Sequence, residues 1–379
     1  MITRRAVMLG SLALAGCATA TAGPPSATEA TRSRFAPAAN PSWDAWVADY
    51  KPRAEARGVP RSVIDAAFAE AGYIPEVVRL DRNQAEFKRS FEDYLQLVAS
   101  DERVFEGRAA YAANEAALRR AEARYGVPAE VVTAVWGVES RYGQRLDSML
   151  PVVSATSTLA WEGRRGSYFE SELTAALRIL ADGDVGPSAM VGSWAGAMGH
   201  TQFMPTVFRA NAVDFDGDGR RDIWGADPTD ALGGAANFLA NIGWQRGQPY
   251  AAELGAPGAG SSGTRQPDAG GPVFGIGPNF RVLRGYNPSD NYALAVSYLA
   301  GRIAGAGPLR TPFGPDRYGF VLNERIELQR RLTAAGFDAG TPDGVFGRKT
   351  AAAIEGYETS RGLPVTGEPS RAILSDLRA

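Results

Sequence analysis

One apolar run that ends on a single carboxylate constrains this chain more than any other stretch. Val131, Val132, Ala134, Val135 and Val138 lead through Trp136 and Gly137 to Glu139-Ser140-Arg141-Tyr142-Gly143. Pro128 precedes the run and suits a first helical turn, where its missing N–H has no helical partner anyway. Gly143 can stop the helix by turning left-handed. The run therefore predicts a mostly apolar helix with Glu139 near its C-terminal end. A carboxyl in that setting loses hydration and keeps its proton to higher pH, which suits a general acid. The plainer alternative is a helix-end Glu paired with Arg141 or Arg145.

Composition narrows the chemistry. The 379 residues are enough for two domains, or for one large domain plus a module. An apolar share of 45% with 22% charged residues can bury a core. The net charge of −2 gives no sign of nucleic-acid binding. One His and one Cys exclude an internal disulfide and a Cys/His zinc cluster. A Ser-His-Asp triad would have to use His200, but no nucleophile motif accompanies it, and His200 is expected at a pocket edge.

The first residues read as a targeting segment. Thr3-Arg4-Arg5 is a positive start, and Ala6 to Gly16 is an apolar core too short to span a bilayer. Leu14-Ala15-Gly16-Cys17 resembles a bacterial lipoprotein box, which implies cleavage before Cys17 and lipid on its sulfur. An ordinary secretory signal is the alternative, and Arg4-Arg5 leaves twin-arginine export open beside the general route. Ala18 stands where an inner-membrane retention signal would place Asp, so outer-membrane sorting is implied. Residues 18–40, rich in Ala, Thr, Pro and Ser, read as a flexible tether.

From Ser42 to about Tyr125 the pattern is helical. Phe87, Phe91, Tyr94 and Val98 form one apolar stripe. Gly58-Val59-Pro60 and Gly126-Val127-Pro128 look like two similar helix starts. After Glu139 come Arg164-Arg165 and then Gly192-Ser193-Trp194-Ala195-Gly196-Ala197-Met198-Gly199-His200-Thr201-Gln202-Phe203-Met204-Pro205. Small residues at that density imply backbone passing close to something else. Gln202 beside Phe203 offers a donor, an acceptor and an apolar face, as a polar-ligand pocket needs.

Taken in order, Gly-Val-Glu-Ser-Arg-Tyr-Gly, the Arg pair and Ser-Trp-Ala-Gly-Ala-Met-Gly-x-x-Gln-Phe-Met-Pro resemble the membrane-bound lytic murein transglycosylase B family over roughly residues 41–320. The resemblance implies a mainly α, lysozyme-like catalytic domain over residues 41–315. It implies a peptidoglycan glycan strand as substrate, cut between N-acetylmuramic acid and N-acetylglucosamine without water to leave a 1,6-anhydromuramyl end. Glu139 falls at the acid/base position. Arg164, Arg165, Ser193, Gln202 and Phe203 match glycan-site positions, and Tyr94 falls at another. Arg284-Gly285-Tyr286-Asn287-Pro288-Ser289-Asp290-Asn291-Tyr292 resembles the segment that supplies Tyr286, Asn287 and Tyr292. Tyrosine rings and amides suit sugar C–H faces, hydroxyls and N-acetyl groups. Glycosidases usually need two carboxylates. The resemblance implies that here one residue can do both steps, protonating the leaving oxygen and then, as carboxylate, taking the proton of the attacking C6 hydroxyl.

Asp214-Phe215-Asp216-Gly217-Asp218-Gly219-Arg220-Arg221-Asp222 matches the opening of an EF-hand-like loop, with the Arg220 carbonyl as a further ligand. The pattern then departs, with Gly225 where the loop would have Glu. The family loop closes on an Asp at the next helix, here Asp230, with Asp227 as rival. A structural Ca2+ is expected, and no organic cofactor.

Residues 247–278 are weak in pattern, where the family has a longer insertion, and Gly305 to Pro315 reads as a linker. Residues 320–379 resemble a three-helix peptidoglycan-binding domain through Pro342-Asp343-Gly344-Val345-Phe346-Gly347 before a helix. The implied setting is the periplasmic face of the outer membrane, reached through a lipid anchor. A monomer is expected, with wall-synthesis or divisome proteins left open as partners. Two rivals stand beside the enzyme: a non-catalytic wall-tethering lipoprotein, and a hydrolytic muramidase with Asp147 or Glu162 as second carboxylate.

Overall fold

The computed structural model describes residues 34–82, 90–146 and 149–379. Cys17 with the rest of residues 1–33, Phe87 and Asp147 lie outside the described residues. In chain order the helices are α1 (Pro41–Ala56), α2 (Arg61–Ala69), α3 (Pro75–Arg82), α4 (Phe91–Val98), α5 (Asp101–Ala113), α6 (Glu115–Tyr125) and α7 (Ala129–Ser140). They continue as α8 (Val152–Glu162), α9 (Gly166–Asp182), α10 (Pro205–Asn211), α11 (Thr229–Asn241), α12 (Pro278–Tyr286) and α13 (Asp290–Ile303). A terminal trio follows: α14 (Leu322–Ala334), α15 (Arg348–Ser360) and α16 (Arg371–Arg378). The fold is mainly helical, as the apolar periodicity implied.

The two Gly-Val-Pro starts share one geometry. Gly58 (φ 86) and Gly126 (φ 77) turn left-handed after α1 and α6. Pro60 and Pro128 then sit at the N-cap, one place earlier than the first turn expected, and their carbonyls take the first helical N–H groups. Helix α7 threads the main core, where Val131, Val132, Val135 and Trp136 meet Leu95 of α4, Leu118 of α6, Leu239 of α11 and Val296 of α13. A second core joins α1, α2, α8 and α9 through Tyr50, Ile64, Val152 and Leu177, and takes in Met198 and Phe203. Tyr286 packs against both cores, so the seam between them runs past the end of α12.

Two small antiparallel sheets complete the body. β1 (Leu150–Pro151) pairs with β2 (Val191–Gly192). Strands β3 (Ala251–Glu253), β4 (Gly263–Arg265) and β5 (Phe274–Ile276) form a sheet in the order β3-β5-β4, in the segment that carried no clear sequence pattern. Gly275 is required there, since a Cβ would lie 2.6 Å from the Gly260 carbonyl oxygen.

The stretch expected to be a free linker is fastened along its length. Glu253 accepts the N–H groups of Arg310 and Thr311 at 2.8 Å each. The Phe313 ring lies 6.2 Å from Phe91. The last three helices have their own core of Phe320, Leu328, Leu332, Ile354, Tyr357, Ile373 and Leu374. Arg325 of α14 is buried and forms ion pairs with Glu92 and Asp93 in the first turn of α4. A guanidinium taken out of water needs such partners, so this cluster is a real contact across the boundary.

Candidate active site

The end of α7 is a strained cap held from several sides. Arg141 and Tyr142 both adopt φ 54, and Gly143 follows at φ 84. A left-handed L residue costs on the order of 1 kcal/mol, so two in succession need support. Arg141 has it from Glu106 (Nη2 to Oε1, 2.6 Å) and Glu102 (2.8 Å). The Tyr142 side chain folds back over Gly137 and Gly107, where a Cβ would lie 2.5 Å from its ring and 2.4 Å from its hydroxyl oxygen respectively. Its hydroxyl donates to the Arg103 carbonyl at 2.9 Å. The Gly-Val-Glu-Ser-Arg-Tyr-Gly motif is thus a folded cap, and Arg141 faces α5 rather than Glu139.

Glu139 is half-buried on the last turn of α7, and its Oε1 accepts a hydrogen bond from the Tyr292 hydroxyl at 2.7 Å. Burial raises its pKa from 4.5 to about 7, with the Tyr292 hydrogen bond acting the other way. A carboxyl with one hydroxyl donor and little water is a proton donor at neutral pH. The Tyr94 hydroxyl is raised by burial and, to a lesser extent, by the Glu139 charge.

Behind Tyr292 stands an aromatic column. Tyr286 stacks on Tyr292 with centroids 6.2 Å apart at 12°, and its hydroxyl donates to the Thr201 carbonyl at 2.8 Å. Phe203 and Phe238 lie 5.9 and 5.0 Å from Tyr286. Two expectations change here. Phe203 is 2% exposed, because a ring with no polar atom gains most by lying under Tyr286, so it props the column instead of facing glycan. Tyr292 is also 2% exposed and its hydroxyl is engaged by Glu139, so it acts on the acid. Tyr286 keeps a half-buried edge, and Asn287, the C-cap of α12, is exposed beside it.

The glycine-rich segment is a stack of tight turns. Gly199 (φ 58) has no room for a Cβ, which would lie 2.1 Å from the Ile223 carbonyl oxygen. Gln202 is left-handed at φ 50, and its Nε2 donates to the Gly199 carbonyl at 2.9 Å. Its Oε1 is the end of that amide that points away from this bond. Ser193 accepts the Ala197 N–H at 3.2 Å. His200 is 3% exposed and so lies in the core, not at a pocket edge.

Arg164 and Arg165 are exposed but share one buried anchor. Arg164 Nε reaches Asp81 Oδ2 at 2.6 Å, and Arg165 Nη2 reaches Oδ1 at 2.7 Å. The Arg164 hydrogen bond, with that of Arg165, holds Asp81 below the usual carboxylate range against its burial. Sequence reading missed Asp81, since it precedes the arginines by a whole helix and has no motif of its own. Glu162 pairs with Arg82 at 2.9 Å and accepts the Arg164 N–H, which commits it away from Glu139.

Carboxylate oxygens of Asp214, Asp216 and Asp218 lie within 4.8 Å of one another, and all three residues are exposed. Carboxylates, and a backbone carbonyl such as that expected from Arg220, are hard oxygen donors of the kind that suits Ca2+. Asp230 stands apart from that set. It is buried, and its oxygens accept the N–H groups of Phe215 (2.6 Å), Asp216 (3.1 Å) and Asp222 (2.8 Å). Its expected ligand role therefore becomes that of a brace across the loop. Asp227 is turned to the start of α11, where it accepts the Thr229 N–H at 2.9 Å.

Comparison with known proteins matches residues 42–269 to the transglycosylase SLT domain and residues 322–377 to a peptidoglycan binding domain. The chain belongs to the SLT transglycosylase family. It is 32% identical over 288 residues to membrane-bound lytic murein transglycosylase B of Escherichia coli (strain K12), across 65% of this chain and 79% of the relative. The structure is similar to that of SltB3 from Pseudomonas aeruginosa in complex with NAG-NAM-pentapeptide, at 38% identity and a TM-score of 0.69, over 89% of this chain and all of that one. It is also similar to Slt35 of Escherichia coli in complex with calcium, at 28% identity and a TM-score of 0.57, over 74% of this chain and 98% of that one. As a lytic transglycosylase, this protein acts on peptidoglycan glycan strands. Among the described residues no helix is long and apolar enough to cross a membrane.

Proposed function

We propose that Glu139 carries out both proton transfers of this lytic transglycosylase. The observation that carries the reading is the half-buried carboxyl raised to about 7 with the Tyr292 hydroxyl as its one hydrogen-bond partner among the described residues. Protonated, it donates to the oxygen of the bond between N-acetylmuramic acid and N-acetylglucosamine. Ionised, it accepts the proton of the C6 hydroxyl as that oxygen closes on C1 of the same sugar. The nucleophile belongs to the substrate, so proximity replaces a positioned water. The emerging carboxylate is stabilised by Tyr292.

Arg164 and Arg165, fixed by Asp81, leave guanidinium N–H groups toward solvent for an anionic part of the strand. The pentapeptide in the SltB3 complex supports a stem carboxylate as that part. Asn287 and Gln202 are suited to N-acetyl groups, Ser193 to a sugar hydroxyl, and Tyr94 and Tyr286 to ring faces. Asp214, Asp216, Asp218 and the Arg220 carbonyl would hold a structural Ca2+, a reading supported by the calcium complex of Slt35. The membrane-bound relative supports an envelope setting, and Cys17 is the residue we assign to a lipid anchor in the outer membrane. Muropeptide mass spectrometry tests the reaction. Anhydro ends from the wild type and none from Glu139→Gln are expected; reducing ends instead would mean hydrolysis.

A further inference from the structure

The sole histidine of the chain lies at a place the glycine-rich motif leaves open, between Met198-Gly199 and Gln202-Phe203. Its ring is buried and both nitrogens are engaged. The Trp136 indole Nε1–H points at Nδ1 across 3.0 Å. Nε2 lies 2.8 Å from the Gly225 carbonyl oxygen. An indole N–H can only donate, so Nδ1 must be the acceptor and Nε2 must carry the proton it gives to Gly225. One neutral tautomer satisfies both neighbours. Burial also holds the imidazole below its usual pKa.

What the ring joins matters more than its tautomer. Trp136 lies one turn before Glu139 on α7, on the same side of the helix. Its indole is wedged between His200 and the left-handed Tyr142, with centroids 5.7 Å from each. Gly143, the last residue of the cap, lies so close that a Cβ would be 2.5 Å from His200 Cε1. The backbone N–H of His200 donates to the Ile223 carbonyl at 2.8 Å. His200, two residues before Gln202, thus ties the catalytic helix and its cap to the 223–225 loop, through its ring to Gly225 and through its backbone to Ile223.

We propose that His200 is a positioning residue for Glu139, a neutral cross-tie that acts through Trp136 to fix the last turn of α7. The proposal rests on Glu139 as the acid, a reading that Glu139→Gln tests separately. Loss of the tie leaves an indole N–H and a carbonyl buried without partners, and frees the turn that carries Glu139. Small displacements of an acid from its leaving oxygen slow the chemical step more than they weaken binding.

The full-length protein provides the test. With one histidine, long-range 1H–15N spectra of the imidazole need no assignment, and they should show the Nε2–H form with an accepting Nδ1. Trp136→Phe removes the indole N–H but keeps an aromatic ring, smaller than the indole, at the site. His200→Gln keeps a donor for Gly225 and loses the ring acceptor. On short glycans each should lower kcat about tenfold, with KM within about twofold. The alkaline limb of kcat, set by Glu139 with Tyr94, Tyr286 and Tyr292 around it, should move to lower pH as water gains access. An Nδ1–H tautomer overturns the proposal. So does a Trp136→Phe protein with lowered Tm but unchanged kcat and limb, which would make the tie merely structural. Because Trp136→Phe is the milder change, it decides the matter where His200→Gln fails to fold.

Discussion

Glu139 at the end of α7 and Glu358 at the end of α15 are both carboxyls drawn out of water on a helical last turn, and they go opposite ways. Glu358 is 4% exposed and accepts from Thr366 N (2.7 Å), Thr366 Oγ1 (2.6 Å) and Gly367 N (2.9 Å). Burial pushes its pKa up, but those donors outweigh it and leave the group below the usual carboxylate range. Among the described residues Glu139 has the Tyr292 hydroxyl alone, and it is raised to about 7. The balance of burial against donors decides which way a buried carboxyl moves. The same balance holds Asp81, bracketed by two arginines, below its usual range, whereas burial still raises Asp230 against its three backbone N–H donors. Glu139, with one hydroxyl donor among the described residues, sits at the seam between two cores.

The largest effect should come from Glu139→Gln. Turnover should fall below detection, while sacculus binding in a pelleting assay stays near wild type. Stability should move the other way. With a folded pKa raised above its unfolded 4.5, the native state holds the extra proton between pH 4.5 and about 7, so the Glu139 contribution is full below 4.5 and is lost as pH rises through 7. At pH 8 the neutral amide should therefore be more stable than wild type by up to about 3 kcal/mol, read by denaturant melts. Equal stability at pH 8 would mean Glu139 is solvated and the contrast with Glu358 is false.

Tyr292→Phe sharpens the same contrast by removing the one donor. Glu139 should become still harder to ionise, so the alkaline limb of kcat should shift upward, with kcat itself lower by about tenfold because the emerging carboxylate loses its partner. A downward shift would mean that the hydroxyl does not stabilise the ionised form. Glu358→Gln approaches from the other side. It should cost the terminal module about 1–2 kcal/mol of stability and leave kcat on short glycans unchanged. Loss of that kcat would make the module part of the groove.

Smaller effects are expected at the two attachments. Chelation should lower the Tm of wild type by a few degrees and leave Asp216→Ala unaffected, since a site formed only in the folded state stabilises it by mass action. An identical Tm with and without chelator would reduce the loop to a turn. Arg325→Met should loosen the module from α4 and lower the rate on intact wall at low enzyme, with short-glycan turnover close to wild type. Because Arg325 meets the helix that carries Tyr94, a large fall in short-glycan kcat would show the module acting on the site itself.

What was legible from the residues alone follows the range of the interactions. The apolar run into Glu139, the two Gly-Val-Pro starts and the three-helix tail are local patterns, and the fold follows them closely. The cap after Ser140 was read only as a glycine stop, because its geometry depends on Gly107 and Glu106 of α5. The Tyr292–Glu139 bond joins residues 153 apart, and burial on both sides turns a sugar-site tyrosine into a partner of the acid. Strands β3 to β5 are three residues each and are paired across turns, too short for alternation to register. Asp81 and the linker contacts of Glu253 belong to tertiary packing that no local spacing announces.

The most direct test of the account is the protonation state of Glu139 itself. Infrared difference spectra between wild type and Glu139→Gln isolate the C=O stretch of one protonated carboxyl. That band should be present at pH 6, fade with a midpoint near 7 and shift in Tyr292→Phe. A band already gone by pH 5.5, with a midpoint near the ordinary 4.5, would contradict the claim that burial with a single donor makes Glu139 the acid.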